Sequence, residues 1–241
     1  MNGRKFAAFD IDGTIFRWQL YHELFDALIE EKVISAPDAK RVLADRERWR
    51  KRELEYGMYE KTLMEVMEVA IIGLDDERFH AIADDILLKK GHHVYKFTID
   101  LLRELQKKGY VTIAISASHQ QLVERFCQLH DIDVAIGRQF EVKDGKLTDK
   151  SNIVHGHKKE FLEAAVAEHG LSLEDSYAVG DSGGDISMLE MVTNPIAFNP
   201  NEELLAKAKA NNWPIVLERK SIAYRLEKGT DGTYLLAETN L

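Results

Sequence analysis

Aspartate, serine and lysine residues stand beside successive apolar segments of the sequence, in an arrangement that suits phosphate chemistry. Several carboxylates in one pocket repel each other unless a hard divalent cation joins them, and Mg²⁺ prefers oxygen ligands. A lysine and a hydroxyl group would bind the oxygens of a phosphate. Together with a carboxylate nucleophile, these groups predict a phosphoryl-transfer site. The residues concerned are Asp10, Asp12, Ser116, Lys158, Asp181 and Asp185.

Each of these residues also has an ordinary structural explanation when it is considered alone. An aspartate or a serine at the end of a strand is often a helix cap, and a lone lysine is usually on the surface. Their placement in chain order at successive strand ends favours the functional interpretation, because an open parallel sheet binds its ligands at the carboxyl ends of its strands.

The elements that carry these residues alternate between strand and helix. Continuous apolar runs at residues 5–11 and 110–116 predict strands that are covered on both faces, as in a parallel sheet. This alternation predicts an α/β fold with a doubly wound, Rossmann-like parallel sheet. Further strands are predicted at residues 176–179, 195–198 and 214–217, and helices at residues 94–108, 118–130, 158–169, 184–191 and 201–211.

Residues 18–90 carry a different pattern, which predicts an all-helical cap inserted into the α/β core. Apolar residues recur at helical spacing, and Ser35 precedes Pro37 where a new helix would begin. The dense arginine and glutamate residues of 45–55 are interpreted as a solvated helix face. The predicted core then comprises residues 1–17 and 91–241.

Two segments lie outside the strand–helix alternation. The Asp144-Gly145 pair predicts a hairpin turn within residues 140–147. Residues 219–241 show no clear periodicity, so we assign them no structure from the sequence.

The composition excludes several classes of protein. Of the 241 residues, 45% are hydrophobic and 30% are charged, which excludes a disordered chain and leaves ample material for a core. The net charge of −9, from 32 basic and 41 acidic residues, argues against a nucleic-acid partner. The single cysteine, Cys127, cannot form an internal disulfide, and no long uninterrupted apolar run occurs. We therefore expect a cytoplasmic protein with no membrane and no nucleic-acid partner.

At these motifs the sequence resembles the haloacid-dehalogenase superfamily, on its phosphoserine-phosphatase-like branch (subfamily IB). The segment Asp10-Ile11-Asp12-Gly13-Thr14 matches the DxDGT signature of that family at every defined position. Ser116, Lys158 and the segment Gly180–Asp185 match the second, third and fourth motifs in the correct order. The resemblance extends over residues 4–217. It implies a Mg²⁺-dependent phosphomonoesterase that acts on a small phosphorylated metabolite.

The resemblance also implies a catalytic role for each matching residue. Asp10 would attack phosphorus and form an aspartyl-phosphate, while Asp12 would act as general acid and then general base. Asp10, the backbone carbonyl of Asp12 and Asp181 would hold Mg²⁺. Asp185 would orient Lys158 or a metal-bound water.

Substrate binding is assigned by the same resemblance to Ser116, the Ala117 amide, Lys158 and Gln19. Two of these positions depart from the pattern of the branch, which has glycine at Ala117 and a substrate-binding glutamate at Gln19. The arginine that would hold a substrate carboxylate should fall near Val66, where the sequence has no arginine. We therefore predict that phosphoserine is a poor substrate and that another small phosphomonoester is preferred.

Other functions remain open as alternatives. The same site would serve a phosphoserine phosphatase proper, or a phosphotransferase that passes the phosphoryl group to an acceptor other than water. A receiver-like signalling module also combines carboxylates, Mg²⁺, a hydroxyl and a lysine, although Asp12 and the helical insert argue against it. The segment Gly180–Gly184 spells the nucleophile motif of trypsin-like serine proteases, with Ser182 as nucleophile. The strand–helix alternation and the single cysteine argue against that class.

Overall fold

An eight-stranded sheet forms the centre of the computed structural model, which describes residues 3–220, 222–230 and 232–240. The strands are β1 (Arg4–Phe9), β2 (Val111–His119), β3 (Val134–Arg138), β4 (Phe140–Lys143), β5 (Lys146–Ser151), β6 (Leu171–Gly180), β7 (Asn194–Phe198), β8 (Ile215–Arg219), β9 (Ile222–Lys228) and β10 (Tyr234–Asn240). The order in the sheet is β10-β9-β8-β7-β6-β1-β2-β3, and β4 pairs with β5 separately. From β8 to β3 the neighbours run parallel, which confirms the predicted α/β fold.

The strand order reverses direction beside β1. From β1 the chain moves outward through β2 to β3, and it then returns to the other side of β1 at β6 before it continues to β7 and β8. β1 pairs in parallel with both β2 and β6. Open α/β sheets bind their ligands at the carboxyl ends of the strands that flank such a reversal. The fold therefore places a site where β1 and β6 end.

Helices connect the parallel strands and also form the insert between β1 and β2. The second helix begins as predicted, because the Ser35 hydroxyl accepts a hydrogen bond from the Asp38 backbone N–H at 3.3 Å and Pro37 stands in the first turn. In the described part of the chain, no helix is both long and apolar enough to cross a membrane. The helices are α1 (Leu20–Glu30), α2 (Ala36–Arg50), α3 (Tyr56–Ile71), α4 (Asp76–Lys90), α5 (Lys96–Lys107), α6 (Gln120–Leu129), α7 (Lys158–Glu168), α8 (Ile186–Leu189) and α9 (Glu202–Asn211).

The strand β1 is buried on both faces, which explains its continuous apolar sequence. Ala7 and Phe9 pack into a cluster that includes side chains of α5, α6 and the helical insert. Phe6 and Ala8 pack on the opposite face, in a second cluster with side chains of α7, α8 and α9. Because successive side chains of a strand point to opposite faces, one strand joins the two clusters. The helical insert packs directly against the sheet through the first of them.

The hairpin β4–β5 links the core to the insert. It turns at Asp144-Gly145 as predicted, and both residues have positive φ angles, +52° and +73°. The Gly73 N–H donates to the Leu147 carbonyl at 2.8 Å, and the Leu147 N–H donates to the Leu74 carbonyl at 3.0 Å. These backbone bonds fix the end of α3 to the hairpin.

Three segments differ from the sequence prediction. The sequence pattern does not predict β3, because it is short and mostly half-buried. The tail adds β9 and β10 as antiparallel strands, where exposed leucines such as Leu235 weaken the apolar–polar contrast that reveals a strand. The helix predicted at 184–191 is wrong in part, because Gly183–Asp185 form a 3-10 turn and α8 has only four residues.

Candidate active site

The carboxyl ends of β1 and β6 bring Asp10 and Asp181 together. Asp10 directly follows β1 and its backbone N–H donates to the Val179 carbonyl at 2.9 Å, while Asp181 directly follows β6. The loop after Asp10 contains Gly13, whose φ is +85°. A Cβ atom there would lie 2.2 Å from Asp181 Oδ2, so this close approach requires glycine. The glycine of the signature thus permits the position of Asp181.

Lys158, the first residue of α7, lies between two buried carboxylates. Its Nζ donates to Asp10 Oδ1 at 2.6 Å and to Asp185 Oδ1 at 2.5 Å. The three side chains are at most 7% exposed. Burial opposes the charge of the lysine, but attraction to the two carboxylates outweighs it and raises the pKa of Lys158 above its ordinary value. Lys158 is a buried cation beside Asp10, and the explanation of it as a surface lysine is wrong.

Asp185 is held by the loop that follows β6. Its Oδ2 accepts hydrogen bonds from the Asp181 N–H at 3.1 Å, the Ser182 N–H at 2.9 Å and the Ser182 hydroxyl at 2.9 Å. A Cβ atom at Gly180 would lie 2.4 Å from the Asp185 Cβ, so glycine is required at the end of β6 as well. Because both Asp185 oxygens are engaged, this residue fixes the position of the Lys158 ammonium group.

Asp12 is held by groups from two separate parts of the chain. Its Oδ2 accepts from the Ser116 hydroxyl at 2.6 Å and the Ser118 hydroxyl at 2.9 Å, and its Oδ1 accepts from the Leu20 N–H. Burial raises the pKa of Asp12 above its ordinary value, although these hydrogen bonds lower it. In this arrangement the Ser116 hydroxyl is bound to Asp12, whereas its predicted partner is a phosphate oxygen.

Asp10, Asp181 and Asp185 form an acidic cluster that could hold a metal ion. One oxygen of each lies within 4.8 Å of the others. Asp10 Oδ2 is buried and has no hydrogen-bond partner among the described residues. Burial raises the pKa of both Asp10 and Asp181 above the ordinary value of an aspartate, and repulsion between the carboxylates adds to this, although attraction to Lys158 opposes it. The donor set fits a hard divalent cation, which would bind the unpartnered oxygen and relieve the repulsion.

The insert meets the signature segment Asp10–Thr14 through the backbone of Trp18 and Leu20. The Gly13 N–H donates to the Trp18 carbonyl at 2.9 Å, and the Leu20 N–H donates to Asp12. The Trp18 side chain is 39% exposed, and Gln19 between these two contacts is half-buried. The segment that leads into α1 is therefore hydrogen-bonded to both Asp12 and Gly13 of the signature.

Ser118 belongs to the site although the motif comparison does not include it. It stands two residues after Ser116 in β2, separated from it by the half-buried Ala117. The Ser118 N–H also donates to the Ser116 Oγ at 2.9 Å. Side chains two positions apart in a strand share a face, so the Ser-x-Ser spacing was a usable signal.

Val66, near which the substrate-binding arginine of the family should fall, is a buried member of the first apolar cluster. One interpretation of the insert needs correction. Residues 45–55 are mostly exposed, but Arg46 is buried and pairs with Asp26 through hydrogen bonds of 3.1 and 2.7 Å. The interpretation of a solvated face is thus wrong at Arg46, because one inward-facing arginine cannot be distinguished by composition from its exposed neighbours.

The environment of Ser182 does not resemble that of a protease nucleophile. Its hydroxyl donates to Asp185, and no histidine in the described part of the chain hydrogen-bonds to it. A serine nucleophile needs a neighbouring base, which in trypsin-like proteases is histidine in an all-β fold. The α/β fold and this contact rule out the protease interpretation.

Several known proteins with related sequences are phosphatases. The phosphoserine phosphatase of Archaeoglobus fulgidus is 27% identical over 204 residues, 83% of this chain and 54% of the relative. The phosphoserine phosphatase of Methanocaldococcus jannaschii is 34% identical over 112 residues, 45% of this chain and 53% of the relative. A histidinol-phosphatase of Neisseria meningitidis is 30% identical over 132 residues, 52% of this chain and 59% of the relative. The chain thus covers little more than half the length of these relatives.

Solved structures share the fold. A Bordetella pertussis protein of unknown function matches with a TM-score of 0.73 and 22% identity, over 89% of this chain and 98% of that one. A phospho-aspartyl intermediate analogue of phosphoserine phosphatase matches with a TM-score of 0.59 and 24% identity, over 91% of this chain and 95% of that one. The sequence also matches the family model of the haloacid dehalogenase-like hydrolases over residues 7–190, a range that includes every motif residue from Asp10 to Asp185. This match confirms the resemblance drawn from the motifs, and the chain belongs to the haloacid dehalogenase-like hydrolase family.

Proposed function

We propose that the protein is a Mg²⁺-dependent phosphomonoesterase that hydrolyses a small phosphorylated metabolite through an aspartyl-phosphate on Asp10. The observation that carries this proposal is the buried Asp10 carboxylate, which is bound to Lys158 through one oxygen and has no hydrogen-bond partner at the other within the described ranges. A carboxylate beside a fixed cation suits attack on phosphorus, because Lys158 offsets the negative charge of an incoming phosphate. The phosphatases among the relatives support the same class of reaction.

The reaction has two steps that share one acid–base residue. First, an Asp10 oxygen bonds to phosphorus while the bond from phosphorus to the leaving oxygen breaks, and Asp12 gives that oxygen its proton. Water then attacks phosphorus, Asp12 takes a proton from it, and the bond to Asp10 breaks, which releases phosphate. The raised pKa of Asp12 supports its role as proton donor. Ser116, the Ala117 amide and Lys158 would bind the phosphate oxygens.

The proposed ligands of Mg²⁺ are Asp10, Asp181 and the backbone carbonyl of Asp12. Asp185 is assigned to the orientation of Lys158, since both of its oxygens accept hydrogen bonds from the protein. When bound, the cation supplies positive charge that neutralises the carboxylates and polarises the phosphoryl group.

The insert has a proposed role as the cap of this site. We assign residues 18–90 to the cap and residues 1–17 and 91–241 to the core. The hydrogen bond from the Leu20 N–H to Asp12 supports this assignment, because it ties the cap to the proposed proton donor. The cytoplasmic location expected from the cysteine count stays a prediction.

Two narrower alternatives use the same residues. A phosphoserine phosphatase proper is disfavoured, because Gln19 is neutral and the buried Arg46 is already paired with Asp26. A substrate's charges that lose water without gaining partners weaken transition-state binding. A phosphotransferase would differ only in the acceptor that attacks the aspartyl-phosphate.

Phosphate release from a panel of phosphorylated metabolites and p-nitrophenyl phosphate tests the proposal. EDTA should abolish activity and Mg²⁺ should restore it, whereas Ca²⁺ should inhibit because it takes more oxygen ligands at longer distances. Added alcohols would yield new phosphate esters only from a phosphotransferase. Mg²⁺ should also raise the Tm of the wild type but not that of Asp181→Asn, a readout that does not need turnover. Full activity in EDTA would contradict the scheme.

A further inference from the structure

A chain of hydrogen bonds crosses the insert from Arg46 to Gln19. Arg46 Nε donates to the Tyr59 hydroxyl at 3.0 Å, and that hydroxyl lies 3.0 Å from His22 Nδ1. His22 Nε2 lies 3.3 Å from the Tyr56 hydroxyl, which is also hydrogen-bonded to Gln19 Oε1. Side chains of α1, α2 and α3 thus form one relay that ends at Gln19, the residue directly before α1. We call these five residues the cap relay.

Arg46 sets the direction of the cap relay, because a guanidinium group only donates. The Tyr59 oxygen accepts from Arg46, so the Tyr59 hydrogen points to His22 Nδ1. His22 is 1% exposed and neutral, since burial and then the charge of Arg46 lower its pKa to about 3. A neutral imidazole that accepts at Nδ1 carries its hydrogen on Nε2 and donates it to Tyr56. Tyr56 in turn donates to Gln19 Oε1.

A neighbouring tyrosine does not alter this direction. The Tyr21 hydroxyl donates to Glu60, which only accepts, and the Tyr21 oxygen lies 2.9 Å from the Tyr56 oxygen. Gln19 Oε1 is the nearer of the two acceptors available to the Tyr56 hydrogen. Two tyrosine hydroxyls therefore separate the Glu60 carboxylate from Gln19.

The cap relay determines which end of the Gln19 amide remains free. Tyr56 occupies Oε1, and no residue in the described ranges accepts a hydrogen bond from the Gln19 NH₂ group. Gln19 directly precedes Leu20, whose N–H donates to Asp12, the proposed proton donor to the leaving group. The residue that carries this free NH₂ group is therefore next in sequence to the backbone N–H that binds the proposed proton donor.

We propose that Gln19 is a specificity-determining residue that selects leaving groups with an oxygen acceptor, and that Tyr59, His22 and Tyr56 are positioning residues that orient its amide. This inference rests on the proposed phosphomonoesterase function. An amide NH₂ donates to a hydroxyl or carbonyl oxygen, but it offers nothing to an ammonium group, which also only donates. An ammonium group at this point loses water without gaining a partner. The substrate class is the monophosphate ester of an uncharged polyol or hydroxycarbonyl compound.

Two small substrates isolate this choice. They are 2-hydroxyethyl phosphate and 2-aminoethyl phosphate, which differ only in a terminal hydroxyl or ammonium group. For the wild type we expect kcat/KM to be at least about tenfold higher with the hydroxyl compound. Gln19→Glu keeps the shape and still accepts from Tyr56, but it presents a carboxylate oxygen. The preference should move by at least about tenfold toward the ammonium compound, and an unchanged preference would overturn the proposal.

The positioning role of the cap relay has its own variant and control. Tyr56→Phe removes the donor to Oε1, so the Gln19 amide can rotate and the preference should fall by about threefold or more. Tyr110→Phe removes another tyrosine hydroxyl, which donates to Asp175 at 2.8 Å outside the insert, and should leave the preference unchanged. A purely structural role would lower kcat/KM equally for both substrates. That result for Tyr56→Phe would overturn the positioning role.

A spectroscopic measurement tests the cap relay without turnover. The ¹⁵N chemical shifts of His22 should show a neutral ring with its hydrogen on Nε2, and the opposite tautomer would overturn the relay. Failure of the inference is distinct from failure of the proposed function. If Asp10→Asn abolishes hydrolysis but Gln19→Glu leaves the preference unchanged, only the inference fails. If the wild type with Mg²⁺ hydrolyses neither substrate nor p-nitrophenyl phosphate, both fail.

Discussion

The proposed catalytic centre and the helical insert both bury polar side chains, but they stabilise them in different ways. In the centre, opposite charges compensate each other, with Lys158 between Asp10 and Asp185. In the insert, His22 and Tyr59 are buried and linked by directional hydrogen bonds, with His22 neutral. Charges suit the binding of phosphate and cation, whereas oriented neutral groups suit the selection of a leaving group. Under the proposed function, the centre therefore carries out the reaction and the insert selects the substrate.

Asp10→Asn should have the largest effect on the centre. Asparagine keeps the shape and still accepts from Lys158, but it cannot attack phosphorus, so kcat should fall by at least about a thousandfold. The Tm in EDTA should stay equal or rise, because a buried carboxylate with a raised pKa is removed. Phosphate release and thermal unfolding measure both effects, with the exposed Asp149→Asn as control. Turnover within about tenfold of the wild type would contradict the assignment of the nucleophile.

Lys158→Met should have the next largest effect, because it leaves two buried carboxylates without their cation. Removal of one partner from a buried ion pair costs about 3–5 kcal/mol, so the free energy of unfolding in EDTA should fall by about 3 kcal/mol. The matched control is Lys159→Met, whose side chain is 51% exposed and whose loss should cost at most about 0.5 kcal/mol. Urea unfolding measures both variants. Equal losses at the two positions would show that the buried pairs do not stabilise the fold.

The residues of the centre are predictable from the sequence because strand ends position them. A residue that directly follows β1 or β6 emerges at the carboxyl edge of the sheet whatever the rest of the chain does. Asp10 and Asp181 therefore meet as expected. The hydrogen bond from Ser116 to Asp12 was not predictable, because it depends on the side-chain rotamers that the neighbouring groups select.

The contacts of the insert are much less predictable, because they join helices whose packing no local pattern determines. Arg46 and Tyr59 are 13 positions apart, and His22 and Tyr59 are 37 positions apart. Helical periodicity predicted the helices of the insert, but it cannot indicate which polar residue of one helix meets which residue of another. The tail shows a related limit, since β9 is defined by its pairing with β8 and β10 by its pairing with β9, rather than by an apolar pattern of their own.

His119, at the end of β2, is a buried and neutral side chain close to the centre. The His119 ring stacks on Phe140 with centroids 5.0 Å apart, and neither ring nitrogen has a hydrogen-bond partner within the described ranges. Burial, and then the charge of Arg138, lower the pKa of His119 to about 3. The unfolded chain, with a histidine pKa of about 6.5, then binds more protons, so stability is lost as the pH falls from about 6.5 toward 3. Asp10 and Asp181 act in the opposite sense, since their raised pKa values make the folded state bind protons first.

His119→Phe should therefore remove one source of acid sensitivity. Phenylalanine keeps a ring beside Phe79 and Phe140 but cannot be protonated. The free energy of unfolding of the variant minus that of the wild type should increase by on the order of 2 kcal/mol as the pH falls from about 6.5 to about 5. The wild type loses up to about 1.4 kcal/mol per pH unit in this range through His119, and the variant does not. Urea unfolding in EDTA at the two pH values measures this change, with the exposed His169→Phe as control. An equal difference at both pH values would show that His119 does not confer acid sensitivity.

Ser118→Ala should have the smallest effect, at the point where the two regions meet. Asp12 accepts hydrogen bonds from Ser116 and Ser118 of β2 and from Leu20 of the insert. Loss of the Ser118 hydroxyl removes one group that lowers the pKa of Asp12, so this pKa, already raised by burial, should rise further. A proton donor with a higher pKa stays protonated to higher pH. The alkaline limb of the pH profile of kcat/KM should thus move upward, by less than about one pH unit.

Ser176→Ala is the matched control for this shift. It removes the hydroxyl of another buried serine, which donates to the Leu173 carbonyl at 2.6 Å, and it should leave the alkaline limb in place. A limb that moves to lower pH in Ser118→Ala, or does not move, would contradict the role of Ser118. The pKa of Asp12, the proposed proton donor, would then depend on burial, Ser116 and the Leu20 N–H. Because Leu20 belongs to the insert, the insert would then affect proton transfer as well as the choice of substrate.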